Sequence, residues 1–433
     1  MRSLRLAGNR SKLVEMGTPS ATPRLTAVVV VALALIACDD DPSGFPTMGM
    51  AGIPSPTKLG ANLIFADVEL NGHPGGRLGV DTGSPVVLID PTKFPGAQVP
   101  TQTQIRGNLS FGDFTVDQIP MMQIRTSGAM DPLAFAGLLG GNVMRQFSVQ
   151  LDYADPLNAF RLGTPPMDSS PPGVALPGTT FAFTLEGGGR GQLQGETVTI
   201  VPTRIPVTVD IDGVSRPFIL DTGASETSVR STVYAAIIAD GRPELHGLPI
   251  STVSGPTMAS VTRARTMTVA GQSIANAAVM TIGDQILDSI QQEVKHPIDG
   301  LLGGNYLREF LVTIDYPLGS MRLQRYDTPP VADEFKRIGI ELGAGSGSHS
   351  FVVGVVYSDT DAELKQLNPG DELIAIDGQS LDGLDSLAAD ALLTGTVGTT
   401  RQVQLGTTSA GGLANTTIGV LVEDLIPPPP PAP

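Results

Sequence analysis

The sequence predicts an all-β chain of two homologous β-barrel lobes, followed by a smaller α+β domain. Two motifs occur twice in the same order: Asp-Thr-Gly at 81–83 and 221–223, and Gly-Leu-Leu-Gly-Gly-Asn at 137–142 and 300–305. Around them, Val, Ile, Leu and Thr alternate with turn residues, a pattern typical of strands rather than long helices. We therefore expect two similar units, each carrying one aspartate at the same point.

The N-terminal residues 1–37 have the pattern of a signal peptide. Basic residues precede an apolar run that begins at Leu25 and is too short to span a bilayer comfortably. The run ends in Leu-Ile-Ala-Cys38, which resembles the lipobox of bacterial lipoproteins, and this resemblance implies lipidation of Cys38. We expect a bacterial cell-envelope protein, anchored by lipid in the periplasm or at the cell surface. The alternative is a plain secretory peptide with an incidental cysteine.

Composition and the internal repeat divide the rest of the chain. Residues 38–57 are rich in Asp, Pro, Gly and Ser and are expected to form a flexible tether. Segments 145–153 and 308–316 also match each other, with an Asp-Tyr pair expected at a strand end. The predicted boundaries are lobe 1 at 58–163, a Pro-rich linker at 164–178, lobe 2 at 179–328, a further domain at 335–424 and a polyproline tail at 425–433.

Charge and motif content exclude several function classes. The formal net charge of −16 repels nucleic acid and offers no basic patch for anionic lipid. The four histidines show no metal-ligand spacing, and neither HExxH nor GxSxG occurs. Cys38 is the only cysteine, so no intrachain disulfide can form. The sequence implies no metal and no organic cofactor.

The two Asp-Thr-Gly motifs predict a shared acid–base site. Two close carboxylates cannot both stay ionised, so one acts as a base and the other as an acid. Glycine at 83 and 223 permits close backbone approach, and threonine at 82 and 222 can bond across the lobe interface. The Ser84 hydroxyl is expected to bond Asp81, whereas Ala224 offers no such group to Asp221.

These residues resemble those of the aspartic-peptidase clan, the pepsin-like and retropepsin-like enzymes. In that clan each lobe supplies Asp-Thr/Ser-Gly on a loop and, later, a hydrophobic-hydrophobic-Gly segment, which 138–140 and 301–303 match. The resemblance covers residues 60 to 326. It implies an endopeptidase that uses Asp81 and Asp221 to hydrolyse unfolded or extended polypeptides. The other readings are aspartates that serve only as turn residues, a silent peptide-binding scaffold, and a dimer-dependent protease that uses Asp221 alone.

Lobe 2 is longer than lobe 1 between the aspartate and the next matching strand. The extra segment contains Ser254, Gly255 and Pro256, which we expect at the tip of a flap over the cleft. Gly107-Asn108 is the weaker counterpart in lobe 1. We expect one working flap, in lobe 2.

The region 335–424 resembles the PDZ domains of bacterial envelope proteases. The resemblance depends on Ile338-Gly339-Ile340, a Val-rich run at 352–356, and Asn-Pro-Gly-Asp at 368–371 before a strand. It implies capture of a peptide C-terminus by strand addition, with the amides of 338–340 taking the carboxylate. The alternative is a β-rich domain that only packs on the protease.

Overall fold

A computed structural model describes residues 24–28, 44–99, 104–124, 135–164, 177–193, 196–252, 255–345, 349–409 and 412–431. The described chain is built mostly of strands, as the sequence predicts. Within these residues, no helix is both long and apolar enough to cross a membrane. Strand β1 (Arg24–Val28) lies parallel to residues 250–252 at a sheet edge. The rest of 1–37, with Cys38, is outside the described residues, so the signal peptide and lipidation remain predictions.

The first unit contains eleven strands, one α-helical turn and one 3-10 turn in the described residues. Its strands are β2 (Thr47–Met48), β3 (Pro54–Ser55), β4 (Thr57–Gly60), β5 (Leu63–Leu70), β6 (His73–Val80), β7 (Val87–Ile89), β8 (Gln104–Phe111), β9 (Phe114–Gln123), β10 (Phe135–Leu139), β11 (Ser148–Asp152) and β12 (Phe160–Gly163). The 3-10 turn is Pro91–Lys93 and the helix is α1 (Gly141–Met144). Strand β6 ends directly before Asp81, and β10 returns parallel to β6 and antiparallel to β7.

The second unit repeats this connectivity and adds elements. Its strands are β13 (Thr179–Ala182), β14 (Gly189–Leu193), β15 (Glu196–Ile200), β16 (Pro206–Ile211), β17 (Val214–Leu220), β18 (Thr227–Val229), β19 (Glu244–Thr252), β20 (Gly255–Arg263), β21 (Thr266–Val269), β22 (Gln272–Ala275), β23 (Ala278–Thr281), β24 (Gly300–Leu302), β25 (Phe310–Asp315) and β26 (Ser320–Arg325). Its helices are α2 (Ser231–Ile238), α3 (Asp284–Val294) and α4 (Gly304–Leu307). As β10 does in the first unit, β24 lies parallel to β17 and antiparallel to β18.

A six-stranded sheet joins the two units. Its central strands are β11 and β25, which pair antiparallel with Gln150 opposite Thr313. These strands are the matching segments 145–153 and 308–316 of the sequence. Tyr153 and Tyr316 are buried at the ends of these strands, as expected for a structural Asp-Tyr pair. The repeat therefore places equivalent backbone of both units side by side.

The C-terminal module forms a six-stranded sheet, a two-stranded sheet of its first and last strands, and two short helices. Its strands are β27 (Lys336–Arg337), β28 (Ile340–Ala344), β29 (Phe351–Val356), β30 (Glu372–Ile376), β31 (Gln379–Ser380), β32 (Thr400–Ser409), β33 (Gly412–Leu421) and β34 (Glu423–Asp424), and its helices are α5 (Asp361–Leu364) and α6 (Ser386–Ala391). Strand β28 lies at one end of the sheet order β28-β29-β30-β32-β33. Strand β28 therefore has a side to which a further strand can be added.

Two predicted boundaries differ from the structure. The tether predicted at 38–57 is structured from residue 44 on, because Phe45 packs in the core and β2 and β3 pair with β9 and β12. The tail predicted at 425–433 begins with structured residues, since Leu425 N–H donates to the Phe335 carbonyl and Ile426 is buried. Most of the predicted linker, residues 165–176, lies outside the described residues.

Candidate active site

Both Asp-Thr-Gly loops are held at their start by the second repeated motif. The Asp81 N–H donates to the Leu139 carbonyl at 3.1 Å, and the Asp221 N–H donates to the Leu302 carbonyl at 3.0 Å. The buried side chains of Asn142 and Asn305 accept from the amides of Val87 (3.0 Å) and Thr227 (2.8 Å). The same backbone and side-chain contacts thus fix each loop within its own unit.

The two threonines join the loops to each other. The Thr82 N–H donates to Thr222 Oγ1 at 3.0 Å, and the Thr222 N–H donates to Thr82 Oγ1 at 3.1 Å. Each hydroxyl then donates across the interface, Thr82 to the Leu220 carbonyl (2.9 Å) and Thr222 to the Val80 carbonyl (2.7 Å). These four buried bonds fix the spacing of the loops, because every donor and acceptor lies in a layer without access to solvent.

The glycines bring the two aspartates together. A Cβ atom on Gly83 would lie 2.5 Å from Asp221 Cγ, and one on Gly223 would lie 2.5 Å from Asp81 Cγ. Real Cβ atoms do not approach another heavy atom so closely, so only glycine fits at either position. Each carboxyl group therefore packs against the loop of the opposite unit.

The two carboxyl groups titrate as a pair. Burial, and then the charge of Asp221, raise the pKa of Asp81 well above its usual value. Burial raises the pKa of Asp221 to about 6, while the hydrogen bond with Asp81, the Arg204 charge and backbone amides oppose the rise. A proton that Asp81 holds and shares with Asp221 explains why the pKa of Asp81 rises strongly and that of Asp221 rises less. The reason is that two buried carboxylates cannot both remain charged.

One oxygen of each carboxyl group is bound to backbone amides and the other is not. Asp81 Oδ1 accepts from the amides of Gly83 (2.8 Å) and Ser84 (3.0 Å), and Asp221 Oδ1 accepts from Gly223 N–H (3.0 Å). Outside the pair itself, neither Oδ2 atom has a hydrogen-bond partner among the described residues. The two Oδ2 atoms are therefore the ones with unused hydrogen-bonding capacity, and both are buried in this structure.

One predicted contact of Ser84 is wrong. Its hydroxyl donates to the Val86 carbonyl at 2.7 Å, and only its backbone N–H reaches Asp81. The hydroxyl turns away because Val86 presents a carbonyl two residues along the same loop. Ala224 is buried and its N–H donates to the Asp221 carbonyl at 3.2 Å. The difference between Ser84 and Ala224 therefore does not distinguish the two aspartates.

Sequence reasoning missed a buried cation beside the pair. The Arg204 side chain donates to the Gly83 carbonyl and to Glu293 Oε2, at 2.8 Å for the latter. Arg204 is 1% exposed. The only signal in the sequence was a single Arg before an apolar strand, and the equivalent position of the first unit carries no such residue.

A second missed cluster joins both units to the module. The Asn62 side-chain amide donates to Glu226 (2.8 Å) and Glu334 (2.7 Å), and Arg308 donates to the Asn62 side-chain oxygen at 2.6 Å. Burial, followed by the charge of Glu334, raises the pKa of Glu226 well above its usual value. These residues are far apart in the sequence, so no local pattern marks them.

The flap expected in the second unit corresponds to the hairpin of β19 and β20. Gly255 pairs with Thr252, Pro256 pairs with Ser251 and is exposed, and Ser254 lies outside the described residues. The hairpin residues Leu248 and Ile250 belong to the same hydrophobic cluster as Ala224, beside Asp221. Gly107-Asn108 lies within β8, so the described part of the first unit has no hairpin tip there.

The amides expected to bind a peptide carboxylate are largely engaged. Ile338 N–H donates to the Leu393 carbonyl at 3.0 Å, and Ile340 N–H donates to the Ile338 carbonyl at 2.7 Å. The Gly339 carbonyl accepts from Tyr357 N–H at 2.9 Å. The nest predicted at 338–340 is therefore not open in this structure, because the segment is bonded to the end of α6 and to β29.

Two segments match known families. Residues 207–306 match the model described as aspartyl protease, and residues 331–430 match the PDZ domain model. No curated protein matches the chain. The predicted aspartyl protease-like and PDZ domains are thereby confirmed within these ranges, whereas the bacterial lipoprotein remains a prediction.

Two solved structures of low identity also resemble parts of the chain. The aspartic proteinase from Irpex lacteus is 12% identical, with a TM-score of 0.38, over 65% of this chain and 98% of that one. The photosystem II D1 C-terminal processing protease is 21% identical, with a TM-score of 0.19, over 21% of this chain. The match spans 23% of the length of the D1 processing protease.

Proposed function

We propose that the chain is an aspartic endopeptidase whose two homologous lobes meet in a single molecule at Asp81 and Asp221. The observation that carries the proposal is the crossed threonine bonding, which brings one aspartate from each unit to a common buried point. Two aspartates that served only as turn residues would not need to be held together across an interface. The aspartyl protease match over 207–306 supports the same chemistry.

The proposed mechanism uses the different protonation of the two carboxyl groups. Asp221 is the base: it takes a proton from a water molecule whose oxygen attacks the scissile carbonyl carbon. Asp81 is the acid: it gives its proton to the carbonyl oxygen. When the tetrahedral intermediate collapses, the C–N bond breaks and Asp221 gives its proton to the leaving nitrogen. One hydroxyl of the intermediate returns its proton to Asp81 as the C=O bond re-forms, which restores the starting protonation of the pair. The working range then begins near the pKa of Asp221, at about pH 6.

The hairpin of β19 and β20 is the proposed flap. Its inner residues pack beside Ala224, so closure of its tip would exclude water from the Asp221 side of the cleft. The proposed substrates are extended polypeptides, because a site formed between two units and beside a β-hairpin suits a chain without secondary structure.

The module is the proposed recognition domain for substrate or partner C-termini. The end position of β28 and the PDZ match support strand addition there. Carboxylate binding at 338–340 would then require the contacts with Leu393 to open. We also propose that lipidated Cys38 holds the enzyme on the bacterial envelope, with membrane attachment through acyl chains alone.

Two alternative functions differ from this one in whether Asp81 and Asp221 are needed for cleavage. A silent scaffold would bind peptides without cleaving them. A dimer that uses Asp221 alone is disfavoured by the intramolecular bonding of both loops.

The test is cleavage of an unfolded protein by the full chain between pH 4 and 8, beside Asp81→Asn and Asp221→Asn. The proposal expects both variants to lose activity by at least about a hundredfold. Activity retained by Asp81→Asn alone would establish the dimer, and a folded wild type that never cleaves would establish the scaffold.

A further inference from the structure

Arg204 is a buried cation that links the second unit to the catalytic loop of the first. It lies two residues before β16, and its guanidinium donates to the carbonyl of Gly83, within the Asp-Thr-Gly of the opposite unit. Gly83 itself packs against the Asp221 carboxyl group. One side chain therefore reaches the point at which both loops meet.

The first unit supplies no equivalent charge. A Cβ on Gly141 would meet the Thr203 side chain at 2.6 Å, and one on Gly304 would meet the Asn62 carbonyl at 2.1 Å. Asn62 and Thr203 thus occupy equivalent positions under the opposite unit, and the residues that follow them are Leu63 and Arg204. The arginine is an addition to one side of an otherwise repeated arrangement.

Glu293 holds the guanidinium from the side away from Gly83. Its Oε2 accepts from both Nε (3.1 Å) and the second terminal nitrogen (2.8 Å), and its side chain is 17% exposed. Arg204 donates to Gly83 through one terminal nitrogen and to Glu293 through the other two guanidinium nitrogens, so the positive charge lies nearer the dyad than its counter-charge, whose Oε1 is also buried. Such an arrangement leaves a net field at the two carboxyl groups because buried charges are poorly screened.

We propose that Arg204 is a positioning residue that holds the first catalytic loop through Gly83 and sets the pH range in which the aspartate pair carries one proton. The inference deepens the proposed function and rests on it for its catalytic meaning. In support, burial raises the pKa of both Asp81 and Asp221, and the Arg204 charge lowers both.

Other ionisable groups lie around this site and are included in the test. The backbone of Glu186 is hydrogen-bonded to the backbone of Arg204, and its carboxylate contacts His296. The contact with Glu186 raises the pKa of His296. Tyr316 has a pKa raised by burial and then by the Asp81 charge. Of these groups, an imidazole is the type whose ordinary pKa lies nearest neutral pH, so a His296→Gln variant isolates its contribution.

Opposite charge changes at Arg204 and Glu293 test the proposal. Arg204→Met removes the cation, and the pH profile of cleavage should move up by at least about half a pH unit. Glu293→Gln removes the counter-charge, and the profile should move down. Arg204→Lys keeps the charge and should stay near the wild-type profile. Arg242→Met is the matched control, because Arg242 is a buried, ion-paired arginine bound to Asp212 and Asp240.

A second measurement does not require cleavage. The midpoint of thermal unfolding is followed between pH 4 and 8 for the same full-length variants. Arg204→Met should steepen the loss of stability with rising pH, and Glu293→Gln should flatten it, because each changes proton uptake by the folded pair.

The outcomes separate this inference from the proposed function. Shifts of the two variants in the same direction, or no shift beyond that of Arg242→Met, would overturn the role of Arg204 even if the protein is an active protease. A protein that never cleaves could still show opposite shifts for Arg204→Met and Glu293→Gln in the pH dependence of the thermal midpoint. That result would support the role of Arg204 and contradict the proposed function.

Discussion

The two units differ in what covers the outer face of their sheets. In the second unit this face is covered by the β19–β20 hairpin and by α3, through a hydrophobic cluster that contains Leu248 and Leu287. In the first unit the corresponding cluster is closed by Leu387 from α6 of the module. Its other buried members are Leu63, Phe65, Val86, Leu88, Met122, Phe135 and Leu138. The shorter unit thus completes its packing with a residue from the C-terminal module.

This difference makes the C-terminal module part of the packing of both units. Leu387 is 7% exposed and packs closely enough on Gly60 that a Cβ there would lie 2.5 Å from it. The same cluster contains Val86, in the stretch that follows Asp81. On the other side, Phe335, Tyr357 and Ile426 join the cluster of the second unit. The module therefore contacts the layer of side chains behind both Asp-Thr-Gly loops.

The largest effect is expected from closing the space between the loops. Gly83→Ala and Gly223→Ala would each push a methyl group into the opposite aspartate, and activity should fall by at least about a hundredfold. Cleavage rate and thermal midpoint are the measurements. Gly283→Ala is the control, since a Cβ there meets no atom within 4 Å. Equal activity of either loop variant and the control would contradict the closeness of the two loops.

Truncation of Leu387 tests the shared packing directly. Leu387→Ala should lower the free energy of unfolding by about 2–5 kcal/mol, because it opens a cavity between the module and the first unit. Leu364→Ala in the same module is the control, with a side chain that is 79% exposed. Hydrogen exchange should show added opening in β4 and β5 for Leu387→Ala. If the added opening were confined to the module, Leu387 would not complete the packing of the first unit.

The hydroxyl groups of Thr82 and Thr222 should contribute equally to the free energy of unfolding. Thr82→Val and Thr222→Val each remove a hydroxyl that both donates and accepts a hydrogen bond. Each variant should lower the free energy of unfolding by about 1–3 kcal/mol. The double variant should lose less than the sum, since the two hydroxyls serve one network. Chemical unfolding of the two singles and the double measures this, with exposed Thr266→Val as the control. Strict additivity would argue for two independent loops.

The smallest effect is expected at the ion pair between the first unit and the module. Lys58 and Asp385, the residue before α6, form a half-buried pair. A double-mutant cycle with Lys58→Met and Asp385→Asn should give about 0.2–1 kcal/mol, decreasing as salt is added. If this coupling energy exceeded the loss in unfolding free energy caused by Leu387→Ala, the ion pair rather than apolar packing would be the main contact that holds the module.

The repeated parts of the site could be predicted from the sequence. Both Asp-Thr-Gly loops, the second motif behind each, and the matching strands β11 and β25 occupy equivalent places, because a duplicated unit folds twice under the same local rules. The sequence also predicts short helices in the module over 361–366 and 386–393, and the structure has them at Asp361–Leu364 and Ser386–Ala391.

The unrepeated parts could not be predicted. Arg204 occurs once, and its contact with Gly83 depends on how the two units meet rather than on any local pattern. Leu387 has the sequence environment of an ordinary helix residue, and nothing near it indicates that the first unit lacks a cover. The tether residue Phe45 was hidden in the same way by polar neighbours, although its burial joins 44–57 to the core.

The most direct test of the shared dyad is the pH dependence of thermal stability for wild type, Asp81→Asn and Asp221→Asn. The folded pKa values of both aspartates lie above their unfolded values, so the folded state holds extra protons between them. Wild-type stability is then fullest below about pH 4 and falls as the pH rises through about 6. Either single variant should flatten this fall, because a neutral neighbour lets the remaining aspartate ionise more easily. Three parallel curves would contradict a proton shared between Asp81 and Asp221.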